Sequence, residues 1–286
     1  MSILDEIVRT KREEIAFRKA TEPEDRLRRK FPERRPPRLT EALTKEGLNI
    51  IAEVKYRSPS HGPFRCRRPP VEVAAEYVAG GAAALSVLTD QRYFDGRLEY
   101  LQEISAAMLA AAQAAERGDE AALRRWGDGS RPLPAVPILR KDFVLDRYQI
   151  TEAAAAGASA YLLIVACLQQ SELESLLHFG EELELEALVE VHDPFELERA
   201  VEAGARLIGV NNRNLKTFEV DIRTSFELAR RLEGETGYVL VAESGLREGV
   251  QLEELREAGF AGFLIGSAFM EDEHPGRALR RLLEGE

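Results

Sequence analysis

The chain is 286 residues long, 44% hydrophobic and 31% charged, a balance that suits a soluble globular protein with a large core and excludes a disordered or fibrous one. Its formal charge of −11 argues against general nucleic-acid binding, which needs a continuous surplus of Lys and Arg. Two cysteines, Cys66 and Cys167, cannot build a disulfide framework, and neither sits in a CxxC pair or near a Cys/His arrangement, so a reducing cytosol is expected.

The start, Met1-Ser2-Ile3-Leu4-Asp5-Glu6-Ile7, lacks the basic and apolar regions of a signal peptide. No run reaches the ~18 apolar residues of a spanning helix. Residues 1–49 contain an amphipathic helix with Ile3, Leu4, Ile7, Val8 and Ile15 on one face. A basic stretch follows, Arg26, Arg28, Arg29, Lys30, Arg34, Arg35 and Arg38. It reads as a solvated linker in preference to a patch that attracts an anionic substrate. This segment is expected to be a helical extension packed on a catalytic domain at 50–286.

Apolar, β-branched runs predict strands at Ile50–Val54, Leu85–Thr89, Pro137–Phe143, Tyr161–Val165, Ala187–Val191, Leu207–Asn211, Tyr238–Ala242 and Gly262–Ile265. Helical patterns separate them. Asp146, Ser171 and Asp193 are predicted N-caps, the last with Pro194 in the first helical position and Glu196 closing the box. Ala79-Gly80-Gly81-Ala82-Ala83, Ala156-Gly157-Ala158, Ala203-Gly204-Ala205 and Ala258-Gly259-Phe260 each precede an apolar run. Glycine there suits the left-handed end of a helix that turns straight into a buried strand. The stretch from Leu109 to Pro134 predicts a helix plus a surface excursion.

Eight strand–helix units imply parallel pairing, and closure removes both sheet edges, so an α/β fold is predicted: a (β/α)8 TIM barrel with an N-terminal helical extension. A doubly wound open sheet is the alternative, but the GxGxxG turn after a first strand is absent.

Five of the apolar runs end in polar or charged groups: Glu53 with Lys55, Lys141, Glu190, Asn211 with Arg213, and Glu243. Charge on a buried strand is costly unless the strand end opens on a pocket. In a barrel that pocket is the active site at the C-terminal ends of the strands. Structural ion pairs sealing the barrel are the plainer reading of any one of these groups; the set favours function. Ala242-Glu243-Ser244-Gly245-Leu246 and Leu264-Ile265-Gly266-Ser267-Ala268 end strands seven and eight. Small residues there expose backbone N–H groups where such barrels bind phosphate. His61, His178, His192 and His274 lack ligand spacing, so no metal is expected.

Ala52-Glu53-Val54-Lys55-Tyr56-Arg57-Ser58-Pro59-Ser60, Leu85-Ser86-Val87-Leu88-Thr89-Asp90 and Leu139-Arg140-Lys141-Asp142-Phe143 resemble the indole-3-glycerol phosphate synthase family. So do Glu190-Val191-His192, Gly209-Val210-Asn211-Asn212-Arg213-Asn214-Leu215, Ala242-Glu243-Ser244-Gly245 and Leu264-Ile265-Gly266-Ser267, in the same order along essentially the whole chain. The departures are His61 where a lysine is frequent, Tyr56-Arg57 for a commoner small or basic pair, and an extended second helix.

The resemblance implies conversion of 1-(2-carboxyphenylamino)-1-deoxyribulose 5-phosphate to indole-3-glycerol phosphate, CO2 and water in tryptophan biosynthesis, with no metal or organic cofactor. It implies Lys141 as general acid at the ketone oxygen, Glu190 in acid/base steps, and Lys55 at the substrate carboxylate. Glu53 would orient Lys55 or Lys141, Asn211 and Arg213 would bind the substrate's polar middle or carboxylate, and Glu243 would anchor the site. Ser58, Ser244, Gly245, Gly266 and Ser267 would form the phosphate end. Phe94 or Phe143 would wall the aromatic ring, or be plain core.

A small phosphorylated substrate is thus the expected partner, with no nucleic acid or membrane, on a cytoplasmic monomer or weak homodimer. Two competing readings remain. One is a Schiff-base aldolase, which needs a neutral lysine and so is disfavoured by neighbouring carboxylates. The other is a barrel that binds a phosphorylated metabolite without turnover.

Overall fold

The four helix-ending glycines behave as their sequence context predicts: Gly81, Gly157, Gly204 and Gly259 have φ of +100°, +84°, +91° and +102°, the left-handed region that side chains resist. In the computed structural model, which describes residues 3–33, 36–117, 136–215 and 217–285, each delivers the chain into a strand. The strands are β1 (Ile50–Val54), β2 (Ala84–Leu88), β3 (Ile138–Lys141), β4 (Ala160–Ile164), β5 (Glu186–Val191), β6 (Leu207–Asn211), β7 (Val239–Glu243) and β8 (Phe260–Ile265). All eight pair in parallel, each with its sequence neighbour, and β8 closes onto β1. The result is a (β/α)8 barrel without a free edge.

Observed strand ends coincide with the predicted ones or differ by one residue, except for a difference of two at the end of β3 and the start of β8. The largest discrepancy in a helix start has an identifiable cause. Val165–Cys167 forms a 3-10 turn after β4, so the next helix, Gln170–Glu182, begins with Gln169 as its cap and Glu172 closing the box, not with Ser171. Asp146 and Asp193 cap as predicted, accepting from the Tyr148 and Glu196 backbone N–H groups. The second crossover helix runs from Leu98 to Glu116, and the rest of the predicted excursion, 118–135, lies outside the described residues.

Two apolar layers follow from strand alternation. Side chains facing the helices form the larger one. The barrel interior holds Ile51, Leu139, Leu162, Leu188, Val241 and Leu264. At the N-terminal end of the barrel the short helix Leu39–Leu43 inserts Leu39 and Leu43, both 0% exposed, as a plug. Glu186 at the start of β5 accepts the backbone N–H groups of Leu39 and Thr40 and so holds that helix in place. A Cβ at Gly262 in β8 would lie 2.8 Å from Leu43 Cδ2, which accounts for the small residue there.

The first helix, Ile3–Thr21, crosses the opposite end. Its buried face is Ile7, Thr10, Lys11 and Ile15, so the predicted apolar stripe carries a lysine at its centre.

Candidate active site

At the C-terminal mouth a cavity of about 470 Å³ is lined by every residue singled out from the sequence: Glu53, Lys55, Ser58, Phe94, Lys141, Phe143, Glu190, Asn211, Arg213, Glu243, Ser244, Gly245, Gly266 and Ser267. Ile3, Leu4 and Ile7 of the first helix complete one wall. Phe94 and Phe143 stand 6.1 Å apart between ring centroids, tilted by 41°, and both are half-buried against the cavity, so neither is closed core.

Lys141 is the centre of the charge arrangement. Its Nζ lies 2.7 Å from Glu190 Oε2 and 2.7 Å from Glu243 Oε2. Burial alone would discharge the ammonium, but Glu190 and Glu243 outweigh it and hold the proton more tightly than on a free lysine. The two carboxylates respond oppositely. Burial would raise Glu190, yet the charge on Lys141 and the His192 imidazole keep it well below the usual range. Asn211 Nδ2 adds a 3.1 Å hydrogen bond to Glu190 Oε1.

Glu243 is pushed up to about 7, by burial first and by the like charge of Glu190 as well, against the pull of Lys141. Its Oε1 has no hydrogen-bond partner among the described residues and sits where a Cβ on Gly209 would come within 2.3 Å. One ammonium shared by two carboxylates therefore leaves one of them disposed to hold a proton.

Glu53 pairs with Lys55 at 2.5 Å, not with Lys141, and the Lys55 ammonium stands 5.5 Å over the Phe64 ring. Lys55 falls one residue past β1 and reaches back to the strand. Beside them, Gly266 is small because Glu53 crosses it: a Cβ there would meet Glu53 Oε1 at 2.5 Å.

Ser244 and Gly245 are both left-handed, at φ +69° and +78°. A serine in that region stores strain of the kind found at ligand clamps. The turn is tied down by Asn212, whose Nδ2 donates to the Ser244 carbonyl at 3.2 Å while its Oδ1 accepts from Ser225 N and Oγ. Arg213 donates to the Phe218 carbonyl at 3.0 Å, and its guanidinium is lowered by burial.

Sequence reasoning misses a second charged cluster immediately behind the first. On β3, Lys141 faces the cavity while Arg140, 0% exposed, points into the helix layer. There it donates to Asp142 at 3.1 Å, to Glu152 at 3.2 Å and to the Gln149 carbonyl. Lys11 of the first helix reaches the same place, 2.7 Å from Asp90, 2.9 Å from Asp142 and 2.8 Å from Glu14. Asp142 also accepts from Thr89 at 2.6 Å and is held below the usual carboxylate range; burial opposes this, and Lys11 and Arg140 overcome it. The chain does carry a signal for this cluster: Ile7, Lys11 and Ile15 are spaced by four residues on one helix face, and Asp90 and Asp142 follow apolar runs just as the cavity carboxylates do. His192, flanked by Glu190 and Glu196, likewise stands behind the cavity wall, where its lack of ligand spacing hides it.

No helix among the described residues is long and apolar enough to cross a membrane, and no group of three His, Cys, Asp or Glu residues among them is arranged to hold a metal ion.

The architecture alone is widely shared. A thiamine phosphate pyrophosphorylase from Pyrococcus furiosus superposes with a TM-score of 0.54 at 16% identity, over 83% of this chain and 94% of that one, a likeness of fold only. The sequence is more specific. The family model described as indole-3-glycerol phosphate synthase matches residues 4–282. Proteins of that name from Carboxydothermus hydrogenoformans and Salinibacter ruber are 41% and 40% identical, over 98% and 99% of this chain and 99% and 95% of their own lengths.

Proposed function

The chain belongs to the indole-3-glycerol phosphate synthase family and has that activity, and we propose that it works through Lys141 as general acid between Glu190 and Glu243. The reaction converts 1-(2-carboxyphenylamino)-1-deoxyribulose 5-phosphate to indole-3-glycerol phosphate, CO2 and water. Residues 50–286 would form the catalytic barrel and residues 1–49 its helical extension.

In the first step the ring carbon bearing the carboxylate attacks the ketone carbon, with electrons supplied by the arylamine nitrogen, and negative charge develops on the ketone oxygen. The Lys141 ammonium donates its proton there. Loss of CO2 breaks the carbon–carboxylate bond and returns its electron pair to the ring. Dehydration then expels the new hydroxyl as water while a base removes a proton from the neighbouring methylene, which completes the indole. With phosphate as a dianion throughout, a substrate trianion and one proton give a product dianion, CO2 and water, so one proton is taken up per turnover.

Glu190, ionised and fixed, is placed to accept and return protons, and Glu243 to restore the proton on Lys141. Lys55, oriented by Glu53, would hold the substrate carboxylate until it leaves, with Asn211 and Arg213 binding the polar middle. Ser58, Ser244, Gly245, Gly266 and Ser267 would take the phosphate, and Phe94 and Phe143 the aromatic ring. Each lines the same cavity.

The observation that carries this reading is the Lys141 ammonium held at 2.7 Å by two buried carboxylates on the cavity wall. A lysine so charged is a poor imine-forming nucleophile, which weighs against the aldolase alternative. The test supplies the carboxyphenylamino ketose phosphate and follows indole fluorescence. Wild type should produce it, and Lys141→Ala should lose on the order of 10³-fold in kcat. Folded wild type without fluorescence would overturn the assignment, and borohydride inactivation at Lys141 in the presence of substrate would favour the imine.

A further inference from the structure

Behind Glu190, on the side away from the cavity, stands an arrangement that the reaction scheme leaves unused. β5 ends at Val191, so His192 is the first residue beyond the strand, and Asp193 starts the helix Pro194–Glu202. In that first turn Glu196 folds back, and its Oε2 accepts both the His192 backbone N–H at 2.8 Å and the imidazole Nδ1 at 2.9 Å. The other edge of the ring points the opposite way: Nε2, buried and without an aligned hydrogen-bond partner among the described residues, lies at ion-pair distance, 3.3 Å, from Glu190 Oε1. Both side chains are nearly enclosed, His192 at 11% and Glu196 at 13% exposure. Neither His192 nor Glu196 lines the cavity, so neither can touch substrate there.

We propose that His192, held by Glu196, is a positioning residue for Glu190: it fixes one carboxylate oxygen from behind, so that the other stays on Lys141 through the proton transfers. This rests on the reading of Glu190 as the acid/base group.

The chemistry requires a doubly protonated ring. A neutral imidazole has one N–H and would turn a lone pair toward one of its two carboxylates, whereas an imidazolium turns an N–H and positive charge toward each. Burial opposes that charge, but the adjacent carboxylates of Glu190, at ion-pair distance, and Glu196, hydrogen-bonded to the ring, outweigh it and raise His192 to about 10. The ring therefore keeps its positive charge across neutral pH. Glu190 is otherwise faced by Lys141 from β3, Asn211 from β6 and Glu243 from β7. Cys167, from the turn after β4, also stands near it, its thiol raised by burial and by Glu190 and Glu196. Among these charged groups only Lys141 and His192 are positive, and Lys141 must give its proton away during turnover. His192 is then the cation that remains beside Glu190 at that moment.

Two substitutions separate the ring's two edges. His192→Asn places an amide near Nδ1, keeping the tie to Glu196 and losing the donor toward Glu190. His192→Gln places one near Nε2, keeping a neutral donor to Glu190. His192→Asn should lower kcat on the order of 10- to 100-fold with KM little changed. It should also move the acid limb of the kcat/KM profile to higher pH, because a carboxylate that has lost a cation holds its proton more tightly. His192→Gln should recover part of kcat. Thermal melting of both variants identifies a loss that merely tracks unfolding. An unchanged kcat and pH profile in His192→Asn, or equal losses in both variants without a shift of the acid limb, would overturn the proposal. Glu190→Gln run in parallel separates the two levels: if it retains activity, the reading of Glu190 fails, whereas an inactive Glu190→Gln beside an unaffected His192→Asn rejects the positioning role alone.

Discussion

Replacing Lys11 with methionine keeps the stem of the side chain and removes a charge that is 3% exposed. The loss falls unequally on its partners. Asp142 retains Arg140 at 3.1 Å, Thr89 at 2.6 Å and the Phe143 N–H at 2.8 Å. Asp90, 1% exposed, retains among the described residues only the Tyr93 N–H on its other oxygen. Breaking a buried pair in this way costs about 3–5 kcal/mol, mostly as the burden of an uncompensated charge. For a chain of 286 residues the unfolding entropy near 60 °C is about 0.6 kcal/mol/K, so Tm should fall by about 5–8 °C at neutral pH.

The pH dependence has a definite sign. Burial already raises Asp90, against Lys11, and without Lys11 it rises further. A carboxylate whose folded pKa exceeds its unfolded one gains stability as pH falls between the two values. Asp142, held low in wild type, loses its contribution only below the ordinary carboxylate range and so does not shape the interval from pH 5 to pH 8. The gap between wild type and Lys11→Met should therefore be wider at pH 8 than at pH 5.

Urea and thermal unfolding of Lys11→Met, Asp90→Asn and the double variant would measure this. Removing both charges should restore most of the loss, a strongly non-additive cycle. A cost for Lys11→Met below about 1 kcal/mol, the scale of an exposed pair, or additive single effects, would refute the idea that this lysine is a buried strut between the first helix and the catalytic rim.

Glu243→Gln tests the carboxylate raised to about 7. In wild type that group makes stability fall as pH rises from its unfolded value toward 7, since the folded state binds the proton more tightly. Melts from pH 5 to 8 should show a weaker fall in the variant, and a limb near pH 7 should leave its kcat/KM profile. Gly266→Ala should displace the Glu53–Lys55 pair, because the added methyl would lie 2.5 Å from Glu53 Oε1 and 2.8 Å from its Cβ. We expect a loss on the order of 100-fold in kcat with destabilisation of about 1–3 kcal/mol, measured by indole fluorescence and thermal melting.

What the sequence reveals about this molecule depends on whether a residue's role is set locally. The caps at Asp146 and Asp193 and the left-handed glycines are decided within a few residues and are readable from the chain alone. Gln169 is not, because the 3-10 turn at Val165–Cys167 sets where that helix begins. The cavity residues are legible because a buried apolar strand tolerates charge at its end only where a pocket or a partner receives it. The partner of each is not legible: Glu53 chooses Lys55 and leaves Lys141 to Glu190 and Glu243, a matter of barrel geometry. Lys11 and His192 belong to contacts between segments far apart or between a strand end and the first turn after it. The stripe Ile7, Lys11, Ile15 shows where such a reading could begin.

Adjacent cations on β3 point to opposite faces of the sheet, Arg140 to carboxylates among the helices and Lys141 to carboxylates in the cavity. Sliding this strand by one position would swap them. A planar fork would then replace a point charge capable of donating its proton, and a lysine would have to satisfy the pocket that Arg140 fills with several donors. Apolar alternation on a parallel strand flanked by hydrophobic layers on both sides discriminates poorly between neighbouring alignments. The Arg-Lys dipeptide supplies the missing discrimination, so two adjacent charges with different pockets to fill tell the strand where to stop.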